Sequence, residues 1–297
     1  MELNAIKTEE RNQRSAHIDE LSTLDMVRLI NEEDKLVALA VERELPQIAR
    51  AVDVIAGQLK AGGRLIYAGC GTSGRLGVLD AVECPPTYST DPEQVVGLIA
   101  GGYDAMFRAV EGAEDDEHLG RADLESIGFC EKDVLVGIAA SGRTPYVLGA
   151  MAYARGLHAH VISVCCSPDS PVQRGADIAI VPQPGPEVVT GSTRMKSGTA
   201  QKMVLNMLST GAMIRLGKVY GNLMVDVKPS NEKLIQRCIR IVCTVTGADR
   251  EGAVAALEAC GYRPKVAIVM LTRQVDAEKA RELLEQADDR VAAAIGG

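Results

Sequence analysis

The stretch from Gly63 to Tyr88, GRLIYAGCGTSGRLGVLDAVECPPTY, leaves few folds open to the chain. Arg64 to Ala68 is a short apolar run of the kind that forms a buried parallel strand. A loop dense in glycine and hydroxyl follows, Gly69-Cys-Gly-Thr-Ser-Gly74. Arg75 to Val82 then starts a helix. Glu83 stands just before Pro85-Pro86, where the helix is expected to end, because proline lacks the N–H and crowds the preceding turn. Strand, glycine loop and helix start together make an anion cradle: free backbone N–H groups and the positive end of the helix dipole meet there.

Gly69-x-Gly71-x-x-Gly74 fits the dinucleotide fingerprint, which requires an acidic residue at the end of the next strand to hold a ribose. The next strand, Val95 to Ala100, ends in Gly101-Gly102 without one. Thr72 and Ser73 suit a terminal phosphate instead, although this loop alone also fits a tight turn in which Ser73 merely caps a helix. A second loop repeats the pattern. The apolar run Asp133 to Ala140 leads into Ser141-Gly142-Arg-Thr144-Pro145, and Pro145 fits the first position of a helix. Two strand ends that each deliver hydroxyls to a helix start point to a phosphorylated small molecule at the carboxyl edge of a sheet. A third stretch, 185–202, carries Glu187, Ser192 and Thr193 ahead of the apolar helix that starts at Met203. Substrate contact is expected from Glu187 and the Ser192 region; an extended cap network is the alternative.

Further apolar runs at 160–165 and 178–181 alternate with helical segments. The fold class is therefore α/β, a doubly wound parallel sheet flanked by helices. Helices precede it, with Ser22 opening one and Pro46 kinking or splitting the stretch 36–59. Tyr103 to Glu111 is expected to be helical, Val266 to Leu271 fits strand or helix, and the remainder reads as a small helical module. The expected regions are an arm with helices at 1–53, a phosphosugar-binding domain at 54–217 and a helical region at 218–297. The polar residues 1–21 are expected to wrap over a neighbouring surface.

The 297 residues carry a net charge of −8, which argues against a nucleic-acid surface. No secretory signal or membrane span is evident, so the eight cysteines read as reduced thiols of a cytoplasmic protein. Cys70 and Cys84 lie in the most informative stretch, but read as packing residues. His158 and His160 lack partners for a metal site.

The stretches 69–88, 137–147 and 185–202, with Ile18 to Thr23 and Gly221 to Asp226, resemble the N-acetylmuramic acid 6-phosphate etherases, a branch of the sugar isomerase (SIS) fold. The third stretch is also similar to the glucokinase regulatory protein. The resemblance implies an SIS-type sheet, a homodimer with loops of both chains at the site, and no metal or redox cofactor. It implies removal of D-lactate from the 3-position of the sugar. Glu83 would be the acid that protonates the departing ether oxygen, and Glu114 the base at C2. Two carboxylates closing on one sugar repel, so one keeps its proton and the pair supplies one acid and one base. Ser73, Ser141 and Thr144 would hold the phosphate, with Thr72 and Gly142 beside them, and Glu187 the sugar hydroxyls. An aldose–ketose isomerase and a sugar-phosphate sensor are the competing readings. The first needs no acid at a C3 ether, and the second carries two such domains in a longer chain.

Overall fold

The computed structural model describes residues 7–227, 229 and 231–296. The chain divides into two compact units, one of residues 1–82 and 93–209, the other of residues 83–92 and 210–297.

The first unit opens with short 3-10 turns between Lys7 and Glu20 and two helices, α1 (Thr23–Glu42) and α2 (Leu45–Lys60). Ser22 caps α1, its hydroxyl accepting the Asp25 N–H at 3.2 Å. The expected single stretch 36–59 is split before Pro46, which lies in the first turn of α2, where its missing N–H is harmless. The strands are β1 (Leu65–Gly69), β2 (Val95–Ile99), β3 (Val134–Ile138), β4 (His160–Val164) and β5 (Ile178–Ile180). They form one parallel sheet in the order β2-β1-β3-β4-β5. Its helices are α3 (Gly71–Tyr88), α4 (Glu117–Ser126), α5 (Pro145–Gly156), the short α6 (Pro171–Arg174) and α7 (Lys196–Arg215). Fully buried Ile66, Leu135, Val161, Tyr146 and Leu124 belong to one core cluster of this unit.

The strand order reverses at β1: the chain runs outward to β2, then returns to β3 on its other side. The crevice at such a switch point is where open α/β sheets take ligands. The register pairs Gly69 with Ile138, so the loops leaving β1 and β3 emerge side by side.

Two expectations need correction. Helix α3 does not stop at Pro85-Pro86 but runs to Tyr88. Both prolines lie in its last turns, where each removes one backbone bond while its fixed φ still suits a helix; the Ser89 N–H continues the pattern to the Pro85 carbonyl at 3.0 Å. Tyr103 to Glu111 is not a helix beyond a 3-10 turn at Tyr103–Met106. Tyr103 and Phe107 stand 79% and 74% exposed, so the large apolar side chains of the segment pack on nothing that would stabilise a longer helix.

The second unit contains the short antiparallel pair β6 (Val219–Tyr220) and β7 (Leu223–Met224). Five helices follow: α8 (Glu232–Thr246), α9 (Arg250–Ala259), α10 (Pro264–Arg273), α11 (Ala277–Gln286) and α12 (Val291–Ile295). The ambiguous run 266–271 is thus helical, with Pro264 in the first turn. Val225, Ile241, Leu257, Ile268 and Leu284 form its core.

Candidate functional site

The loop after β1 is tight because two glycines meet across it. A Cβ on Gly74 would lie 2.6 Å from the Gly69 carbonyl oxygen, so no other residue fits the turn. α3 therefore begins at Gly71, directly off the strand. Ser73 is buried, and its hydroxyl donates to Gln201 Oε1 at 2.8 Å. Gln201, on α7 and only 1% exposed, has no hydrogen-bond partner for its Nε2 among the described residues. A Cβ on Gly198 would meet the Thr72 methyl at 3.4 Å and the Thr193 carbonyl at 3.5 Å. The first and third motifs thus come together around Thr72, Ser73 and the first turns of α7. Half-buried Ser192 lies in the segment leading into that helix.

The loop after β3 turns at Gly142, whose φ is +69° and whose Cβ, were there one, would lie 2.2 Å from Ser170 Oγ. The Val172 N–H donates to the Gly142 carbonyl at 3.0 Å, and the Cys166 N–H to the Ala140 carbonyl at 2.9 Å. Ser141 and Thr144 are half-buried. Thr144 stands at the cap position of α5, yet its hydroxyl makes no capping bond. Arg143 Nε and Ser167 Oγ are buried and, among the described residues, have no hydrogen-bond partner. Buried polar atoms are nearly always satisfied, so this group of open valences marks a polar site.

A cavity of about 220 Å³ opens beside the first loop, lined by Cys70, Gly71, Arg75, Ala100, Arg108 and Glu114 among others. Arg75 builds its rim: Nη2 donates to the Ala105 carbonyl at 2.7 Å and Nε to the Met106 carbonyl at 3.0 Å. Glu114 is exposed on a 3-10 turn (Ala113–Asp115). Burial, and then the Glu114 charge, push the Cys70 thiol up to about 12, which removes it as a nucleophile at neutral pH. Glu83 is exposed near the end of α3, one turn beyond Asp80. Asp80 is buried and accepts from Tyr67 (2.8 Å), Asn206 (2.8 Å) and Ser209 (3.1 Å), which ties α3 to β1 and α7.

Glu187 occupies a different place from the one expected. It is 0% exposed, and its two oxygens accept the N–H groups of Lys196 and Ser197, both at 2.9 Å. A fully enclosed carboxylate cannot reach a sugar hydroxyl in this geometry; it caps α7 and so sets the helix turn that faces Thr72. Lys196 is also 0% exposed, and its Nζ meets Glu33 Oε2 at 2.6 Å. Glu33 further accepts from Asn12 (2.8 Å) and Arg14 (2.6 Å). Burial alone would raise its carboxyl, but the bond and charge of Lys196, with Asn12 and Arg14, outweigh it and hold Glu33 below its ordinary value. Asn12 and Ser15 also donate to the carbonyls of Pro186 and Val188, so this polar N-terminal segment clasps the third motif.

Sequence reasoning missed Arg75, Gln201, Asp80 and the Glu33–Lys196 pair. Gln201 and Lys196 lay inside a quoted motif; nothing local distinguished Glu33 from the other charges of α1. Among the described residues no group of three or more His, Cys, Asp or Glu is placed to hold a metal ion.

Residues 47–155 match the family model described as the glucokinase regulatory protein N-terminal SIS domain, and 127–211 match the SIS domain model. The N-acetylmuramic acid 6-phosphate etherase of Photobacterium profundum is 60% identical over 295 residues, spanning 99% of this chain and 98% of that protein. The chain belongs to the N-acetylmuramic acid 6-phosphate etherase family. An etherase of this family from Vibrio cholerae is 58% identical over the same shares of both chains. The family's fold is shared more widely. A phosphosugar isomerase structure from Bacteroides fragilis superposes with TM-score 0.50 at 22% identity, over 66% of this chain and 94% of its own. A phosphoheptose isomerase from Neisseria gonorrhoeae does so with TM-score 0.50 at 16% identity, over 64% and 98%.

Proposed function

We propose that this chain cleaves the D-lactyl ether of N-acetylmuramate 6-phosphate, giving N-acetylglucosamine 6-phosphate and D-lactate, a lyase step in the recycling of cell-wall amino sugar. Identity near 60% to etherases over almost the whole length carries this reading. The polar loops after β1 and β3 supply what such a substrate needs. Thr72 and Ser73 at the start of α3, and Ser141, Gly142 and Thr144 before α5, hold the 6-phosphate between two helix N-termini. Ser192 contributes from the third motif, and Glu187 acts through α7 as a positioning residue.

In the open-chain sugar the C1 aldehyde acidifies the C2 proton. Glu114, at the rim of the cavity beside Cys70, removes it. The C3–O bond then breaks, and Glu83 protonates the departing lactyl oxygen. Water, activated by the now ionised Glu83, adds across the C2–C3 double bond. Each positioned carboxyl group contributes roughly 10²–10⁴-fold. An aldose–ketose isomerase would use one base only and would leave the ether intact.

The protein acts as a homodimer in the cytoplasm. Each site takes its acid from one copy and its phosphate cradle from the other. Leu24, Val27, Leu36 and Leu39 on α1, 40–56% exposed, supply apolar surface for such a pairing. Eight free thiols suit a reducing compartment.

The test is D-lactate release from N-acetylmuramate 6-phosphate. Wild-type protein yields lactate and N-acetylglucosamine 6-phosphate in equal amounts, and Glu83→Ala and Glu114→Ala each lose at least ~100-fold. Absence of lactate from folded protein that binds the sugar phosphate would move the reading to a sensor. Mixing inactive Glu83→Ala with a cradle-dead Ser73→Asp variant regains activity if the site is shared between copies; no regain assigns both residues to one chain.

A further inference from the structure

The C-terminal unit carries a second ligand-shaped feature that the etherase reaction does not use. A groove of about 540 Å³ runs along α8, lined by Lys233, Gln236, Arg237, Arg240 and, from α9, Arg250. Its floor includes buried Ile239 and half-buried Cys243. A smaller hollow of about 240 Å³ shares Arg237 and Arg240 and adds Asn222 and Thr244. Among the described residues of this unit Lys218 and Lys265 are matched by Asp226, and Lys279 by Glu282. Among the described residues Lys233, Arg237 and Arg240 have no carboxylate partner. Gln236 is held from both sides, donating to Glu232 at 2.6 Å and accepting from Arg250 at 2.8 Å. The groove thus has one fixed wall and three cations without a counter-ion.

Positions 233, 237 and 240 fall on one face of the helix and span about 10 Å along its axis, the length of two linked phosphates and a little more. The second unit, residues 83–92 and 210–297, holds thirteen Lys and Arg and thirteen Asp and Glu, in a chain whose net charge is −8. Cations grouped in one groove attract small anions, while the overall negative charge repels long ones. Guanidinium groups bind phosphate oxygens in forked pairs, and the groove volume falls in the small-molecule range. We propose that this groove binds a diphosphate group, free or as part of a small metabolite.

The test is calorimetric titration of inorganic pyrophosphate into the full chain saturated with N-acetylglucosamine 6-phosphate, so that the sugar site is filled. One further pyrophosphate per chain is expected. Arg237→Gln/Arg240→Gln should lower that affinity at least about 30-fold, at roughly tenfold per guanidinium, with melting temperature and basal lactate release unchanged. Uridine diphosphate in place of pyrophosphate distinguishes a nucleotide-borne diphosphate from the free ion by tighter binding to the same groove. No heat from the saturated chain, undiminished binding by the double variant, or tighter binding of a short DNA duplex than of pyrophosphate would each overturn the assignment.

Discussion

Replacing Lys196 with Met removes a buried ammonium and leaves its partner Glu33 enclosed. The methionine stem has a similar length, so the packing cost is small. The electrostatic cost is not. Breaking a buried pair by removing one member typically costs 3–5 kcal/mol, because the remaining charge stays out of water. Here Asn12 and Arg14 still touch Glu33, but Arg14 is 57% exposed and its attraction is screened by solvent. The expected loss is therefore at the lower end, about 3 kcal/mol. Urea unfolding followed by circular dichroism at pH 7, read on the transition that reports the sheet unit, measures it. Glu33→Gln added to Lys196→Met should recover at least half of the loss, since no charge is then buried. The pH dependence has a definite sign. Glu33 sits below its ordinary value of 4.5 in the folded chain, so its contribution is full above that value and fades as pH falls through the lower folded value. In Lys196→Met that acid-side fading should flatten. A loss below about 1 kcal/mol, or a double variant no more stable than the single, would refute the reasoning.

Two further outcomes follow from the cradle. Gly142→Ala should destabilise by at least about 2 kcal/mol, combining the cost of a left-handed conformation with a Cβ placed 2.2 Å from Ser170 Oγ; adding Ser170→Gly should return the steric part alone, as thermal unfolding would show. Gln201→Leu frees the Ser73 hydroxyl from its partner and should raise KM for the sugar phosphate roughly three- to tenfold, with kcat within about twofold; an unchanged KM in steady-state kinetics would place Ser73 outside the phosphate site.

The strands were the most legible part of the chain, because each was a short apolar run, and those of β1, β2 and β3 led directly into glycine-bearing turns. Pro46 marked a helix boundary correctly, while Pro85-Pro86 did not. The difference is positional: a proline in a first turn gives up nothing, whereas the pair near the end of α3 loses bonds that the rest of the helix can spare. The hydroxyl loops were visible from their spacing. What lay beyond local reading was pairing over long separations. Glu33 meets Lys196 across 163 positions, and Ser73 meets Gln201 across 128. Glu187 looked like a sugar ligand because carboxylates near hydroxyls and glycines often are. Its burial on two backbone N–H groups is set by the path of the 187–197 segment, which no periodicity encodes.

The clasp of the N-terminal segment on the third motif bears on where this module really ends. The matched family segments span 47–155 and 127–211. Neither contains Asn12, Ser15 or Glu33, yet the second contains Lys196. Excised along those borders, the sheet would keep a lysine sealed in its interior and lose the carboxylate that neutralises it, along with the donors for the carbonyls of Pro186 and Val188. Recombining such a segment with a foreign leader would transplant the phosphate loops without the residues that hold their third wall in place. The heritable unit, in the physical sense, begins well upstream of the recognisable one.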